Sequence, residues 1–311
     1  MQKRRLGATN LETPPLVLGG NVFGWTVDKE ISFAILDAAL DAGINVIDTA
    51  DVYSIFAPGH VGGESETILG EWMKDRGVRD RVIIITKGGL SMGEGKEGLG
   101  KTWLPQACED SLRRLQTDYI DLYLSHRADP ATPIEGSLEI FQQLIDAGKV
   151  RFAGCSNYTA DELEAALAAA GDGRARYEVI QPHYNLAARG EYEGALEDVC
   201  ARGGLGVITY FSLASGFLTG KYRKQEDFAG RTRGNLASMY MNEKGLALLE
   251  RLDAVAARHG ATDAQVALAW LMARPSVTAP IASATSLTQL ADLVKSTELK
   301  LTPEDLADLD L

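Results

Sequence analysis

The fold this sequence predicts is a (β/α)₈ TIM barrel, and three observations predict it. Short apolar, β-branched runs recur with amphipathic segments between them, which argues a parallel sheet joined by helices. There are about eight such runs with no hydrophilic break, so a closed barrel is expected ahead of a doubly wound open sheet. The chain has 311 residues and no linker or low-complexity stretch, a length at which α/β barrels run as one domain. Residues 1–311 are therefore read as a single domain.

Taken in order, strands are expected over residues 16–18, 45–48, 82–87, 119–125, 151–156, 179–182, 206–210 and 277–281. Each is a short apolar run of the kind that a buried parallel strand leaves. Helices are expected over 28–42, 66–74, 105–115, 133–147, 160–170, 192–201 and 287–294, where apolar residues recur at helical spacing. Asp161 and Glu162 suit the positive end of the fifth helix. Gly43 and Gly148 stand just past the first and fourth as C-caps. The rhythm breaks after Tyr210, where residues 211–235 form a long loop carrying Gly and charge, the mark of a lid or binding loop. Two helices, 243–259 and 262–273, then precede the last strand, one more than a minimal barrel needs. A further short helix, 303–309, closes the C-terminus.

Hydrophobic residues make up 45% and charged residues 24%, ordinary for a globular protein with a large core. The formal charge of −12 argues against nucleic acid and against anionic membrane surfaces. An anionic cofactor then needs locally placed Lys or Arg. Cys108, Cys155 and Cys200 lie far apart without CxxC spacing, which fits free thiols in a reducing compartment. His60, His126, His183 and His259 show no ligand spacing, so no metal is expected. The start MQKRRLGATN is basic without the apolar run of a signal peptide. No segment reaches 18 uninterrupted apolar residues, so no membrane helix is expected. A cytoplasmic protein with a small-molecule partner is the expectation, and the sequence does not specify an oligomeric state.

The informative spacing lies at the strand ends. Asp48 ends the second strand, Lys87 the third, and His126 the fourth, 39 residues apart each time. In a barrel, catalytic groups come from the C-terminal ends of several strands. An acid, a lysine and a histidine would converge at one rim, with Tyr53 on the intervening loop. A phenol with a pKa near about 10 is a poor acid at neutral pH. A nearby lysine is expected to lower it, a carboxylate to fix the lysine, and a histidine to orient a carbonyl oxygen. Nothing in this set stores electrons, so redox chemistry needs a cofactor. The bland alternative is a buried Asp48–Lys87 pair with His126 as a polar cap. A Schiff-base role for Lys87 is a third reading.

The motifs resemble those of the aldo-keto reductase family. GINVIDTADVY followed by GGESETILG resembles its first signature, SLRRLQTDYIDLYLSHRADP the approach to its histidine, and GKVRFAGCSNY the next strand. The likeness covers nearly the whole chain and lies nearer the potassium-channel beta-subunit branch than the aldose reductase branch. It implies a TIM barrel reducing aldehydes and ketones, reversibly, with NADP(H) favoured and NAD(H) possible. It also implies a tetrad of Asp48, Tyr53 as proton donor, Lys87 and His126. A cofactor-binding regulatory protein with slow turnover is the alternative.

By the same resemblance Ser156, Asn157 and Gln181 would hold the carboxamide and Tyr210 would stack on the ring, with Gly20, Asn21 and Asp48 nearby. Ser212, Leu213, Gly216 and Lys221 would cover the diphosphate. Ser283, Thr285, Gln289 and Asp292 would hold the adenosine. Thr285 stands where many members carry the arginine for the 2′-phosphate, a charge that Arg231 or Arg233 could supply. Leu293 replaces a frequent Asn. Residues 54–63 form a longer loop than usual and are expected to shape the substrate mouth, with Trp25, Ile55, Phe56, Trp103 and Arg127 lining the pocket. GEGKEG at 93–98 and GKEGLGKT at 95–102 match nucleotide-loop patterns literally, but the strand ends too early and Pro105 follows too closely. A rim loop is expected there instead.

Overall fold

A computed structural model describes residues 1–310; Leu311, the last residue of the expected domain, lies outside the described residues. The chain opens on an antiparallel pair, β1 (Arg4–Arg5) and β2 (Glu12–Thr13). The barrel strands follow: β3 (Val17–Gly19), β4 (Val46–Asp48), β5 (Ile83–Gly88), β6 (Ile120–Ser125), β7 (Val150–Ser156), β8 (Tyr177–Gln181), β9 (Gly206–Thr209) and β10 (Ala279–Ala282). They are parallel and close in the order β10-β3-β4-β5-β6-β7-β8-β9. Between them run α1 (Lys29–Asp41), α2 (Glu64–Arg76), α3 (Leu104–Leu115), α4 (Ile134–Asp146), α5 (Ala160–Ala169) and α6 (Ala195–Gly203). Past β9 come α7 (Gly234–Ala237), α8 (Glu243–His259) and α9 (Asp263–Ala273), and after β10 come α10 (Leu287–Ser296) and α11 (Pro303–Leu309). The expected (β/α)₈ barrel, its extra helices before the last strand and its C-terminal helix are all present.

Local chemistry explains the boundaries. Asp28 caps α1 by accepting from Ile31 N at 2.9 Å, and Thr159 with Glu162 forms a capping box on α5. Gly43 and Gly148 follow α1 and α4 with φ of 86° and 72°, the left-handed stop that glycine makes cheaply. Helix α6 begins later than the expected 192, because Tyr192 is drawn into the core and donates to Ser276 O at 3.3 Å. The expected loop over 211–235 holds two short 3₁₀ turns, Ala214–Thr219 and Gln225–Phe228, before α7 begins. The β1–β2 hairpin has no counterpart among the expected elements, since two-residue strands leave no periodicity. Its Leu6 and Leu11 pack into the barrel interior. Gly7 turns there at φ 60°, with the Glu178 carbonyl 2.2 Å from where a Cβ would stand. The hairpin thus seals the end of the barrel opposite the strand C-termini.

Strand parity positions the site. Val46, Ile85, Leu122, Leu124, Val179 and Ile208 fill the barrel interior, while Ile47, Ile84, Tyr123, Cys155, Ile180 and Val207 pack under the helices. Side chains alternate along a strand with period two. The next inward positions are therefore Asp48, Lys87, His126, Gln181 and Tyr210, all at the C-terminal rim. In register, Asp48 pairs with Ile85 and Lys87 with Leu124, so each successive rim residue stands two positions further along its strand, the stagger of a tilted barrel.

Helices α2 and α3 touch where α2 has no side chain. A Cβ on Gly70 would stand 2.2 Å from Arg114 O and 2.6 Å from Leu115 C. Backbone on both sides cannot yield cheaply, so Gly70→Ala is expected to cost about 1–3 kcal/mol. A urea melt checks it, and an unchanged midpoint would refute this packing.

Candidate active site

Lys87 is the hub of the rim. It is fully buried, and its three N–H donors face three acceptors. Its Nζ lies 2.8 Å from Asp48 Oδ1 and 2.9 Å from Oδ2, 2.6 Å from Thr49 O and 3.0 Å from Tyr53 Oη. A buried ammonium is tolerable only when paired and hydrogen-bonded in this way. Asp48 is also held by Gln181, whose Nε2 donates to Oδ1 at 2.7 Å. Burial pulls Lys87 below its ordinary pKa, against the opposing pull of Asp48.

Tyr53 hangs from the turn after β4, tied by Tyr53 N to Ala50 O and by Asp51 N to Lys87 O. Its hydroxyl lies 3.3 Å from Asp48 Oδ2, and its ring faces His126 with centroids 6.2 Å apart. The expectation that lysine lowers this phenol is not met. Burial pushes Tyr53 well above its ordinary value, and the charge of Asp48 adds to the rise. The carboxylate sits almost as near the phenol oxygen as the ammonium does, so the ammonium's effect is offset. His126 moves the other way: burial, then Lys87 and Arg127, push it well below its ordinary value. Its imidazole is neutral, and its Nδ1 is buried without a hydrogen-bond partner.

Around this core the polar strand ends form one network. Ser156 Oγ donates to Gln181 O at 2.8 Å. Asn157, in the left-handed region at φ 56°, donates from Nδ2 to His126 O at 3.0 Å and to Ser156 Oγ at 3.1 Å. Tyr210 Oη donates to Asn157 Oδ1 at 2.6 Å. On the rim after β3, Gly20 N donates to Asp48 O at 2.7 Å, and Ser283 Oγ donates to Asn21 Oδ1 at 2.6 Å. The structure thus joins Asp48, Tyr53, Lys87, His126, Ser156, Asn157, Gln181 and Tyr210 in one contact network.

The loop after β9 suits an anion. Phe211, Ala214, Ser215 and Gly216 have φ of 52°, 48°, 56° and 95°, strained conformations that concentrate at ligand clamps. Ser212 is buried there and Leu213 half-buried. Lys221 stands 3.1 Å from where a Gly216 Cβ would be, and the charges of Arg231 and Arg233 both reach it. This chemistry fits a dinucleotide's diphosphate. At the far end Gln289 Oε1 accepts from Thr285 N at 2.9 Å and from Thr285 Oγ1 at 3.0 Å. Asp292, expected beside the adenosine, has both oxygens engaged at the start of α9: Gln265 Nε2 donates at 2.5 Å and Thr262 Oγ1 at 3.0 Å. It ties two helices together.

Of the expected pocket residues, Trp25 and Phe56 form an edge-on pair with centroids 4.5 Å apart, and Phe56 is 57% exposed. Ile55 is half-buried and Arg127 exposed. Trp103 is buried with its indole N–H unpartnered. The rim loop over 93–98 is a series of exposed turns between β5 and α3, anchored where Asp129 Oδ2 accepts from Leu99 N at 2.8 Å. Sequence reasoning missed two contacts. The Thr49 carbonyl leaves no sequence signal. His183 stacks on Tyr210 at 5.3 Å with its Nε2 3.1 Å from Tyr240 Oη. It follows β8 by two residues, and the strand-end rule that found His126 would have found it.

The model of the Aldo/keto reductase family matches residues 15–311. An uncharacterized oxidoreductase, YrpG, from Bacillus subtilis (strain 168) is 35% identical over 321 residues, covering 100% of this chain and 95% of the relative. A probable voltage-gated potassium channel subunit beta from Oryza sativa subsp. japonica is 33% identical, covering 98% and 94%. An L-glyceraldehyde 3-phosphate reductase from Escherichia coli O157:H7 is 32% identical, covering 100% and 92%.

Proposed function

This chain belongs to the aldo/keto reductase family, and from that premise we propose that it reduces aldehydes and ketones to alcohols with Tyr53 as proton donor. The family supports a nicotinamide-dependent oxidoreductase in general. The observation that carries the finer reading is the convergence of Lys87 Nζ on Asp48 and on Tyr53 Oη at 3.0 Å, deep at the rim.

A bound nicotinamide would supply the hydride. Everything else falls to the chain. The neutral imidazole of His126 retains an N–H that can bind and orient the carbonyl oxygen. As the carbonyl carbon accepts the hydride, its π electron pair moves to oxygen, and that oxygen takes the proton from Tyr53 Oη. Lys87, already donating to Oη, stabilises the phenolate left behind, which water then reprotonates. Burial holds the phenol's proton in place until the charge develops, which is when a general acid is useful. Asp48 and Gln181 fix the lysine. Asn157, Gln181 and Ser156 present the amide and hydroxyl groups a carboxamide needs, and the Tyr210 ring offers a stacking face. Lys221 and Arg231 supply cations for the phosphates, so NADPH is proposed to bind more tightly than NADH. Three buried free cysteines support a reducing, cytoplasmic setting.

The potassium-channel relative keeps a second reading in view, a cofactor-binding regulator with slow turnover. The complete cluster of four reacting residues favours catalysis. Titration with NADPH and NADH, followed by an aldehyde panel, tests the choice: tight binding with no turnover on any carbonyl would favour the regulator.

The pH dependence has a definite sign. A raised phenol stays protonated above its ordinary value, and a lowered imidazole stays neutral below its own. The kcat/KM for reduction is therefore expected to be flat from about pH 6.5 to about pH 9. A limb with its midpoint near neutrality would contradict these roles.

A further inference from the structure

The rim of the cleft carries a cation with no counter-ion. The chain has a net charge of −12, yet Lys221, Arg231 and Arg233 cluster on the loop after β9, where the charge of Arg231 reaches Asp227. Arg233 differs from the other two. It is half-buried, and its Nη2 is buried with no hydrogen bond. Its guanidinium lies over the Trp25 ring, 5.5 Å from the centroid, and its charge reaches Tyr53 and Tyr222. Trp25 packs on Phe56, which stands in the 54–63 loop. Arg233 therefore reaches across the cleft from the β9 loop to the wall beside the phenol.

A part-desolvated guanidinium with a spare N–H costs free energy until an oxyanion meets it. Of a bound dinucleotide, the diphosphate would meet Lys221 beside Gly216 and the 2′-phosphate would meet Arg231. Arg233 remains, at the end of the cleft where the carbonyl enters. We infer that Arg233 is an anion-binding residue of the substrate pocket, and that the enzyme selects carbonyl compounds carrying a carboxylate or phosphate. The substrate class rests on the reductase reading; the anion site does not.

Two measurements on the cofactor-saturated protein separate these claims. The first follows tryptophan fluorescence, since Trp25 lies under the guanidinium, during titration with benzoate or its neutral analogue benzamide. Benzoate is expected to bind at least about tenfold more tightly, as a charged hydrogen bond dictates, and Arg233→Gln to lose that preference while Arg233→Lys keeps part of it. The second is turnover. Arg233→Gln is expected to raise KM for 4-carboxybenzaldehyde at least about tenfold more than it raises KM for benzaldehyde. Equal binding of benzoate and benzamide by the wild type would overturn the inference. So would a loss of NADP⁺ affinity in Arg233→Gln as large as the loss for benzoate, because the guanidinium would then serve the diphosphate. A wild type that prefers benzoate but reduces neither aldehyde would uphold the anion site and defeat the reductase reading.

Discussion

Tyr53→Phe is expected to lower kcat for aldehyde reduction by about 10²–10⁴-fold, the usual contribution of a positioned general acid. The substitution removes only the hydroxyl. The ring still packs beside Lys87, whose Nζ lies 4.7 Å from its centroid, and opposite His126. Cofactor affinity should stay within about twofold of wild type, because the cations proposed for the phosphates stand on the loop after β9. Lys87 and Asp48 keep each other, so stability should change little. Steady-state kinetics with an activated aldehyde, alongside a cofactor titration, checks both halves. A variant retaining more than about a tenth of the wild-type rate would remove Tyr53 from the proton-donor role.

Lys87→Met has the larger structural consequence. The lysine is wholly buried and spends every N–H on Asp48, Thr49 and Tyr53. Without it, Asp48 keeps Gln181 Nε2 and a weak contact with Tyr53 but loses its cation. Breaking a buried pair by removing one partner costs about 3–5 kcal/mol. Reduction should also fall by about 100-fold or more, since no ammonium remains to stabilise the phenolate. Urea melts of the variant and the wild type check the loss of stability, and an unchanged midpoint would contradict it. Asp48→Asn combined with Lys87→Met removes the uncompensated charge and should recover part of the loss.

The barrel was legible because eight apolar runs carry its period, and the rim because Asp48, Lys87 and His126 recur at equal spacing on strand ends. Where chemistry depends on tertiary distance, the sequence was silent or misleading. The phenol was expected to be lowered by Lys87, but pattern alone cannot weigh an ammonium at 3.0 Å against a carboxylate at 3.3 Å and the loss of solvent around the phenol. Asp292 matched an adenosine motif; its oxygens also accept from Gln265 and Thr262, a contact between helices that no local spacing encodes. Arg233 was visible as a charge in a long loop and was named, with Arg231, as a charge that could serve the 2′-phosphate. Its position over Trp25, more than 200 residues earlier in the chain, is a property of barrel closure. The β1–β2 hairpin was too short to carry a pattern.

In the proposed reaction, hydride reaches a carbonyl carbon at the rim formed by Tyr53, Lys87 and His126. Reduction of an aromatic aldehyde with NADPH doubly deuterated at the nicotinamide C4, followed by mass spectrometry of the alcohol, tests it most directly. One deuterium on the carbinol carbon is the expected result, with its rate of appearance lowered at least about 100-fold by Tyr53→Phe. An alcohol carrying only protium at that carbon, or no alcohol from a cofactor-saturated protein across an aldehyde panel, would contradict it.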